Sequence, residues 1–452
     1  MQISAHTLGC KLNSAETSTI VEQFRVRGWQ TAGSTREADV YLLNTCSVTS
    51  NAERECRQIV RRVLRENPDA FIAVTGCYAQ LRPEEIASIE GVDVVLGAKE
   101  KFDLFSFVQS FEKQQTAKIF SSPIDEATDF HLAATADTSE RTRAFLKVQD
   151  GCDYTCSYCT IPMARGASRS TPIENILAET RRLCADGFRE IVLSGVNVGD
   201  YGKALGLEFV DLVRAIDADP EITARIRISS IEPNLLTDEI IAIVAASSKF
   251  CPHFHIPLQS GSDAVLRMMQ RRYTTAMYRE RIERVKTMMP HCGIGVDVIV
   301  GFPGETDELF AETHRFLSEL NISYLHVFSY SERPDTKAVA LSGRVANDIR
   351  KERNAALRIL SEKKRRAFYE HQIGQLRTAL IEDETACGRD GSLVAEGFTE
   401  NYVRVAIARS EIGPDAIAAK VRLDAVGDEQ VTASIVEVLE RRSEPTLLPI
   451  LR

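Results

Sequence analysis

Two long stretches of this sequence alternate a short apolar run with a longer segment of helical periodicity. The apolar runs of the first stretch are Ile3 to Leu8, Val40 to Asn44, Phe71 to Gly76 and Val92 to Gly97. Helices are predicted between them over 14–27 and 49–66, and a further one from Pro83 onward. Such alternation is typical of parallel strands joined by helices. We therefore predict an N-terminal parallel α/β domain over residues 1–115.

The second stretch begins after a segment of little periodicity, 116–140, which we interpret as an interdomain linker. Its predicted strands are 145–148, 191–194, 226–229, 254–256, 295–300 and 324–328. Helices such as 173–185, 238–246 and 306–320 separate these strands. Six β/α units predict a partial barrel of the TIM type, (β/α)6, over residues 141–370. In such barrels the chemistry lies at the carboxyl ends of the strands.

The last part of the chain changes character. Short β-rich runs separated by Gly, Asp and Asn turns follow residue 370. This pattern predicts a small antiparallel β-barrel over 371–440, followed by a tail over 441–452. The predicted fold class is therefore α/β, with three domains.

Cys10, Cys46 and Cys77 each follow a predicted strand of the N-terminal domain. Because the carboxyl ends of parallel strands share one edge of a sheet, we expect the three thiols to meet in space. Their separations along the chain are too long to form a local metal motif. Isolated core cysteines are therefore the alternative interpretation.

A second set of thiols, Cys152, Cys156 and Cys159, forms a C-x3-C-x2-C motif directly after the first strand of the second stretch. Three thiolates hold a four-iron cluster and leave one iron open to a further ligand. A zinc loop or three buried small side chains are the alternatives, although zinc normally takes a fourth protein ligand and none follows nearby.

The N-terminal ten residues lack the basic and apolar regions of a secretory leader, and no apolar run approaches the length of a membrane span. We expect a cytoplasmic protein without a membrane partner. The cytosol keeps thiols reduced, so the 11 cysteines favour metal ligation over disulfides.

Around these motifs the sequence resembles the radical S-adenosylmethionine (SAM) enzymes, and among them the methylthiotransferase family. The matching segments are Leu8 to Asn13, Asn44 to Cys46, Gly76-Cys77, Gly151 to Cys159, Ile161 to Gly166, Leu193 to Asn197, His255 to Ser262, Val298 to Glu305 and Tyr330 to Pro334. The resemblance implies two [4Fe-4S] clusters: a sulfur-supplying auxiliary cluster on the first set of cysteines and a SAM-cleaving cluster on the second. It also implies that the C-terminal barrel is a TRAM domain, which helps to bind tRNA.

The resemblance further implies a SAM-binding set at the strand ends of the barrel. This set is Tyr158, Ser194, Gly195, Asn197, Ser230, Glu232, Gln259, Asp297 and Pro303. From the residues alone, several of these side chains are equally consistent with helix caps or solvated loop groups. No catalytic side chain is expected, because the cofactor generates the radical.

The net charge of the chain limits how it can bind a nucleic acid. Lys and Arg number 55 against 64 Asp and Glu, for a net charge of −9, which argues against a general polyanion binder. One local patch stands out, formed by Arg54, Arg57, Arg61 and Arg65 at helical spacing. This stripe is either a contact for tRNA phosphates or a solvated helix face.

Several motifs most resemble the branch of the family that acts on N6-threonylcarbamoyladenosine at position 37, beside the tRNA anticodon. A threonylcarbamoyl group carries a carboxylate, for which Arg165 and Arg333 are the predicted donors. Pairing of both arginines with nearby acidic residues is the alternative. Asp335 departs from the family, which usually has Gly after Arg-Pro.

The implied partners are the anticodon region of tRNA and an electron donor such as flavodoxin or ferredoxin. Three other functions are weighed against this one. The acceptor could be N6-isopentenyladenosine tRNA or a ribosomal-protein aspartate, and the chain could be an iron–sulfur RNA-binding protein without turnover.

Overall fold

The computed structural model describes residues 1–47, 50–135, 142–387, 393–413 and 415–441, with the backbone alone at 50–53 and 383–387. The predicted tail therefore lies, beyond Arg441, outside the described residues. Three domains follow one another along the chain, as the sequence predicts. None of the helices in these ranges combines the length and apolarity needed to cross a lipid bilayer.

The N-terminal domain contains a parallel sheet in the order β2-β1-β3-β4-β5-β6. Its strands are β1 Gln2–Thr7, β2 Gln30–Thr31, β3 Val40–Thr45, β4 Phe71–Gly76, β5 Val94–Leu96 and β6 Lys118–Phe120. Its helices are α1 Lys11–Val26, α2 Ser50–Glu66, α3 Cys77–Leu81, α4 Pro83–Ala87 and α5 Leu104–Phe107. The central strands β3 and β4 are buried along their whole length, as expected for a sheet covered by helices on both faces.

The predicted linker differs from the structure. Residues 116–140 contain β6, the edge strand of the N-terminal sheet, and β7, Ala133–Ala134, which pairs with the first barrel strand. Both strands are too short to show alternation in the sequence. The segment thus joins the two domains by adding a strand to each sheet.

Within the described residues, the second domain contains eight strands and eight α-helices. Its further strands are β8 Arg143–Lys147, β9 Gln149–Asp150, β10 Arg169–Ser170, β11 Glu190–Ser194, β12 Arg225–Ile228, β13 His253–His255, β14 Gly293–Val300 and β15 Tyr324–Ser329. Its helices are α6 Ile161–Arg165, α7 Ile173–Ala185, α8 Phe209–Ala218, α9 Asp238–Ala246, α10 Asp263–Met268, α11 Thr275–Met288, α12 Asp307–Glu319 and α13 Asn347–Glu370.

The predicted partial barrel is confirmed. Parallel pairing joins β8, β11 and β12 in one sheet and β13, β14 and β15 in another. Parallel bridges from Ile226 to Phe250 and from Ser230 to His255 connect the two sheets. All six strand ends therefore point to one rim, next to the N-terminal domain.

The C-terminal domain is a closed five-stranded barrel, β16-β17-β18-β20-β19. Its elements are β16 Leu376–Cys387, β17 Leu393–Thr399, β18 Arg404–Ala408, α14 Arg409–Ile412, β19 Ala416–Val426 and β20 Val431–Arg441. Pairing is antiparallel except between β18 and β20. Two arginines of β12 anchor the C-terminal domain to the central one. Arg225 donates to Phe398 O at 2.9 Å, and Arg227 donates to Glu400 O at 3.1 Å.

Candidate active site

A cavity of about 560 Å³ lies where the three domains meet. The N-terminal domain contributes Cys10, Cys46 and Cys77 to its wall, and the C-terminal barrel contributes Tyr402. The rest of the wall comes from the carboxyl ends of the (β/α)6 strands. The cavity is therefore placed where the topology of both parallel sheets predicts a ligand site.

The first set of cysteines converges on this cavity, as the sequence predicts. Cys46 and Cys77 are buried and Cys10 is exposed. Close packing between the loops requires glycine at Gly9 and Gly76, both at positive φ. A Cβ on Gly9 would lie 2.9 Å from Cys46 Sγ, and a Cβ on Gly76 would lie 2.3 Å from Thr45 O. Burial raises the pKa of Cys77, and the nearby Cys10 thiol adds to the effect.

The second set of cysteines occupies the loop after β9. Backbone N–H groups donate to two of the sulfurs: Tyr154 N lies 3.4 Å from Cys152 Sγ, and Ile161 N lies 3.4 Å from Cys159 Sγ. Burial raises the pKa of Cys152 and of Cys159 to about 12. These thiols therefore need a positively charged partner to become thiolates.

The third sulfur of this loop has a charged donor. Arg271, from the segment after α10, places Nη1 at 3.1 Å from Cys156 Sγ and pairs through Nη2 with Glu232. The Arg271 side chain is only 3% exposed. No local sequence pattern marks Arg271 for this role, because its partner Cys156 is 115 residues away in the chain.

Comparison with known proteins agrees with this geometry. Residues 2–97 match the uncharacterized protein family UPF0004, and residues 146–317 match the radical SAM superfamily. The chain is 38% identical over 413 residues to the threonylcarbamoyladenosine tRNA methylthiotransferase MtaB of Bacillus subtilis, covering 90% of this chain and 91% of the relative. The chain belongs to the radical SAM methylthiotransferase family. The MtaB of Aquifex aeolicus is 36% identical, with 90% and 96% covered.

Among solved structures, the radical SAM methyltransferase TsrM of Kitasatospora setae superposes with a TM-score of 0.56 at 14% identity. The match covers 75% of this chain and 76% of TsrM. This likeness concerns the fold alone. It agrees with the parallel-sheet and partial-barrel architecture of the methylthiotransferase.

The donor sets fit the cofactors that the family uses, two [4Fe-4S] clusters and SAM. The first site brings three thiols to one cavity, the thiols of the barrel set interact with one another, and the barrel set receives N–H donors aimed at its sulfurs. Such donors are typical of thiolates that carry a cluster. Cys184, Cys251 and Cys292 are buried outside the lining of this cavity.

The predicted SAM-binding residues divide into two layers. Ser194, Gly195, Ser230 and Asp297 line the cavity. Ser230 Oγ lies 2.7 Å from His255 Nδ1, and His255 Nε2 lies 2.9 Å from Asp297 Oδ1. His255 thus holds both groups at the rim, a role that the sequence did not reveal.

The other predicted SAM-binding residues lie outside the set that lines the cavity. Asn197 Oδ1 accepts from Glu232 N at 3.3 Å, and Gln259, at φ +71°, donates its backbone N–H to Asp297 O. Tyr158 packs edge-on against Phe302 with ring centroids 6.4 Å apart, and Pro303 is buried beside it. Their direct contact with SAM stays a prediction.

Replacing Arg271 with Met is expected to shift the midpoint potential of the barrel cluster to more negative values. The change removes the charged N–H donor from Cys156, and hydrogen bonds to ligand sulfurs help to set a cluster's potential. A redox titration followed by electron paramagnetic resonance measures the shift. Arg272 is the matched control, since it lies over the Tyr154 ring at 4.0 Å and touches no ligand sulfur in the described chain. Equal potentials for R271M and R272M would contradict this assignment.

The two arginines predicted to bind the substrate, Arg165 and Arg333, are both buried. Arg165 is buried, and its Nη atoms donate to Glu16, Asp150 and Asn13 at 2.6 to 3.1 Å. Its terminal N–H groups therefore bond inside the protein, between the two domains, and its contact with the substrate stays a prediction. Arg333 is buried and lies outside the lining of the cavity as described. The alternative of internal pairing thus accounts for Arg165.

The arginine stripe of α2 lies on the surface of the N-terminal domain. Arg54, Arg57, Arg61 and Arg65 are exposed. The last three line a surface pocket together with Lys113. Arg57 Nη2 contacts Tyr78 Oη at 3.3 Å and Glu85 at 3.4 Å. The stripe therefore remains available to an anionic partner.

Proposed function

We propose that this chain is a tRNA methylthiotransferase that inserts a methylthio group at C2 of N6-threonylcarbamoyladenosine at position 37. The cavity carries the proposal, because it places the thiols that would hold the sulfur-supplying cluster opposite the strand ends of the (β/α)6 domain, where SAM is expected to bind. When bound, the clusters and SAM supply the methylated sulfur and the 5′-deoxyadenosyl radical that this reaction needs. The relatives named above carry the same activity in their names.

The side chains around the cavity hold and shield the reacting base. Tyr324 and Tyr402 stack with ring centroids 6.1 Å apart, and His253 lies 4.5 Å from Tyr402. Aromatic faces of this kind bind unpaired bases by stacking. We propose that the target adenosine enters against this wall, which excludes water from the radical step.

The electron for SAM cleavage is proposed to come from a small redox protein, flavodoxin or ferredoxin, in the cytoplasm. The anticodon region of tRNA is the proposed macromolecular partner, and the α2 stripe is its proposed backbone contact.

The function is tested with purified, cluster-loaded enzyme, SAM and a reductant. Three acceptors are compared: tRNA with N6-threonylcarbamoyladenosine, tRNA with N6-isopentenyladenosine, and a ribosomal-protein peptide carrying the candidate aspartate. Nucleoside mass spectrometry of the two tRNAs, with tRNA from a deletion strain, and mass spectrometry of the peptide should show methylthiolation of the first acceptor only. Modification of either other acceptor alone would assign that alternative, and no turnover on any would favour an RNA-binding protein.

Replacing Arg54, Arg57, Arg61 and Arg65 with Gln is expected to weaken tRNA binding and flatten its salt dependence. Each lost phosphate contact lowers the slope of log K against log salt by about 0.7 to 0.9. Filter binding across a salt series measures both effects.

The matched control removes equal charge from exposed positions of α13, in the variant K351Q/R358Q/K363Q/R366Q. It should change affinity less than the α2 variant does. If the α2 variant keeps the affinity and slope of the wild type, the stripe is a solvated helix face.

A further inference from the structure

Among the described residues, one cation of the cavity has no counter-ion within hydrogen-bond or ion-pair distance. Lys11 opens α1 directly after Cys10, and its side chain is exposed to the cavity that it lines. In the described part of the chain, no hydrogen bond or ion pair reaches Lys11 Nζ. Its one ring contact is with Phe145, whose centroid lies 6.0 Å away.

The neighbouring carboxylates of the described chain do not pair directly with Lys11. Arg143, Arg225 and Arg227 surround the buried carboxylate of Glu190, with N–O distances of 3.1, 2.5 and 2.8 Å. Three positively charged arginines thus already pair with the single negative charge of Glu190. On the other side of the cavity, the Asp297 carboxylate accepts from His255 at 2.9 Å.

Lys11 therefore differs from the other cations that line the cavity. Arg165 is paired with Glu16 and Asp150, and Arg227 with Glu190. An unpaired cation in a partly enclosed cavity is stabilised when an anionic group binds beside it. An anionic group of the substrate is the partner that would complete the site.

The position of Lys11 matches the geometry of the proposed substrate. In adenine, C2 and the carbon that bears N6 both adjoin the ring nitrogen N1. A side chain that recognises the N6 substituent must therefore lie close to the cysteines that would hold the sulfur-supplying cluster, and Lys11 directly follows Cys10 in the chain. The aromatic residues Tyr324, His326 and Tyr402 line the same cavity and offer faces for the purine.

We propose that Lys11 binds the carboxylate of the N6-threonylcarbamoyl group and so selects this nucleoside over one with an uncharged N6 substituent. The inference rests on the proposed function and deepens it by naming the residue that determines specificity. A charge-assisted contact from a single ammonium replaces the bidentate arginine contact that the sequence suggested.

The test compares two anticodon stem–loops, one carrying N6-threonylcarbamoyladenosine and one carrying its methyl ester, which has nearly the same shape without the charge. Equilibrium binding and turnover are measured for cluster-loaded wild type, K11M and K11R. Wild type should prefer the acid by about 10- to 100-fold, as expected for a hydrogen bond between charged groups. K11M should reduce this preference to less than about 3-fold, and K11R should restore part of it.

Lys99→Met is the matched control, because Lys99 belongs to the same domain but pairs with Glu126 at the surface. K99M should keep the wild-type preference. Iron content and absorption spectra show whether K11M and K11R carry both clusters.

The outcomes separate the two proposals. A wild type that modifies neither stem–loop contradicts the proposed function. A wild type that modifies the acid and treats the ester equally contradicts the role of Lys11, whatever the variants do. The same conclusion follows if loaded K11M keeps the full preference for the acid.

Discussion

Replacing Cys152, Cys156 and Cys159 together with Ala should abolish SAM cleavage, whereas replacing Cys10, Cys46 and Cys77 should spare cleavage and abolish methylthiolation. The reason is spatial: the two sets of thiols lie in different domains, and each offers a complete three-thiol site. Three thiolates leave one iron open for a further ligand, which suits the barrel site to bind SAM. Detection of 5′-deoxyadenosine reports cleavage, and nucleoside mass spectrometry reports sulfur transfer.

The matched control for these variants is Cys184→Ala, a buried cysteine on α7 in the hydrophobic core of the barrel domain. It should retain both clusters and both reactions. Iron and sulfide analysis should show one cluster fewer in each triple variant. Sulfur transfer by the C10A/C46A/C77A variant would refute the auxiliary site.

The second large effect is on stability. Glu16, on α1, is fully buried and pairs with Lys101 at 2.6 Å, Arg165 at 3.1 Å and Lys147 at 3.2 Å. Removing one member of a buried ionic cluster leaves the others uncompensated, which costs about 3 to 5 kcal/mol. Glu16→Gln is therefore expected to lower the free energy of unfolding by this amount in a denaturant titration at pH 7.

Lowering the pH should cause a similar loss in the free energy of unfolding of the wild type. Although burial alone would raise the pKa of Glu16, the charges of Arg165 and two lysines hold it well below its usual range. A carboxyl with a lowered folded-state pKa stabilises the protein above its unfolded pKa of about 4.3, and this contribution is lost as the pH falls further. E16Q should lack that part of the acid sensitivity.

Glu22 provides the control on the same helix, because it pairs with Arg25 at 3.5 Å and both side chains are 44% exposed. An exposed pair contributes at most about 1 kcal/mol. Equal stabilities of E16Q and E22Q would show that the buried cluster does not hold the domains together.

The sequence predicted the parts of this protein that depend on local periodicity. All six barrel strands and the convergence of Cys10, Cys46 and Cys77 follow from apolar runs and from the shared edge of parallel strands. It could not predict pairings between distant segments. Arg165 meets Glu16 across 149 residues, and no local pattern marks either as a partner of the other.

Asn401 and Asp335 also have partners in distant segments of the chain, which the sequence alone does not reveal. Asn401 of the C-terminal barrel is buried and donates to His291 O at 2.9 Å, so it helps to anchor that barrel to the central domain. Asp335, which stands where the family usually has Gly, keeps a left-handed backbone at φ +66°. This conformation costs about 1 to 2 kcal/mol without Gly. Arg82 of the N-terminal domain pairs with Asp335 at 2.5 Å and holds the loop in place.

The contribution of Tyr402 to the cavity has a consequence for biogenesis. A ribosome makes residues 10–159, with all six thiols, well before it makes β17 and β18, which flank Tyr402. Domains fold as they emerge, N-terminal first. The nascent chain therefore passes through a stage in which both thiol sites exist and the last wall of the cavity does not. At that stage the cavity is not yet covered on the side that Tyr402 closes in the complete protein.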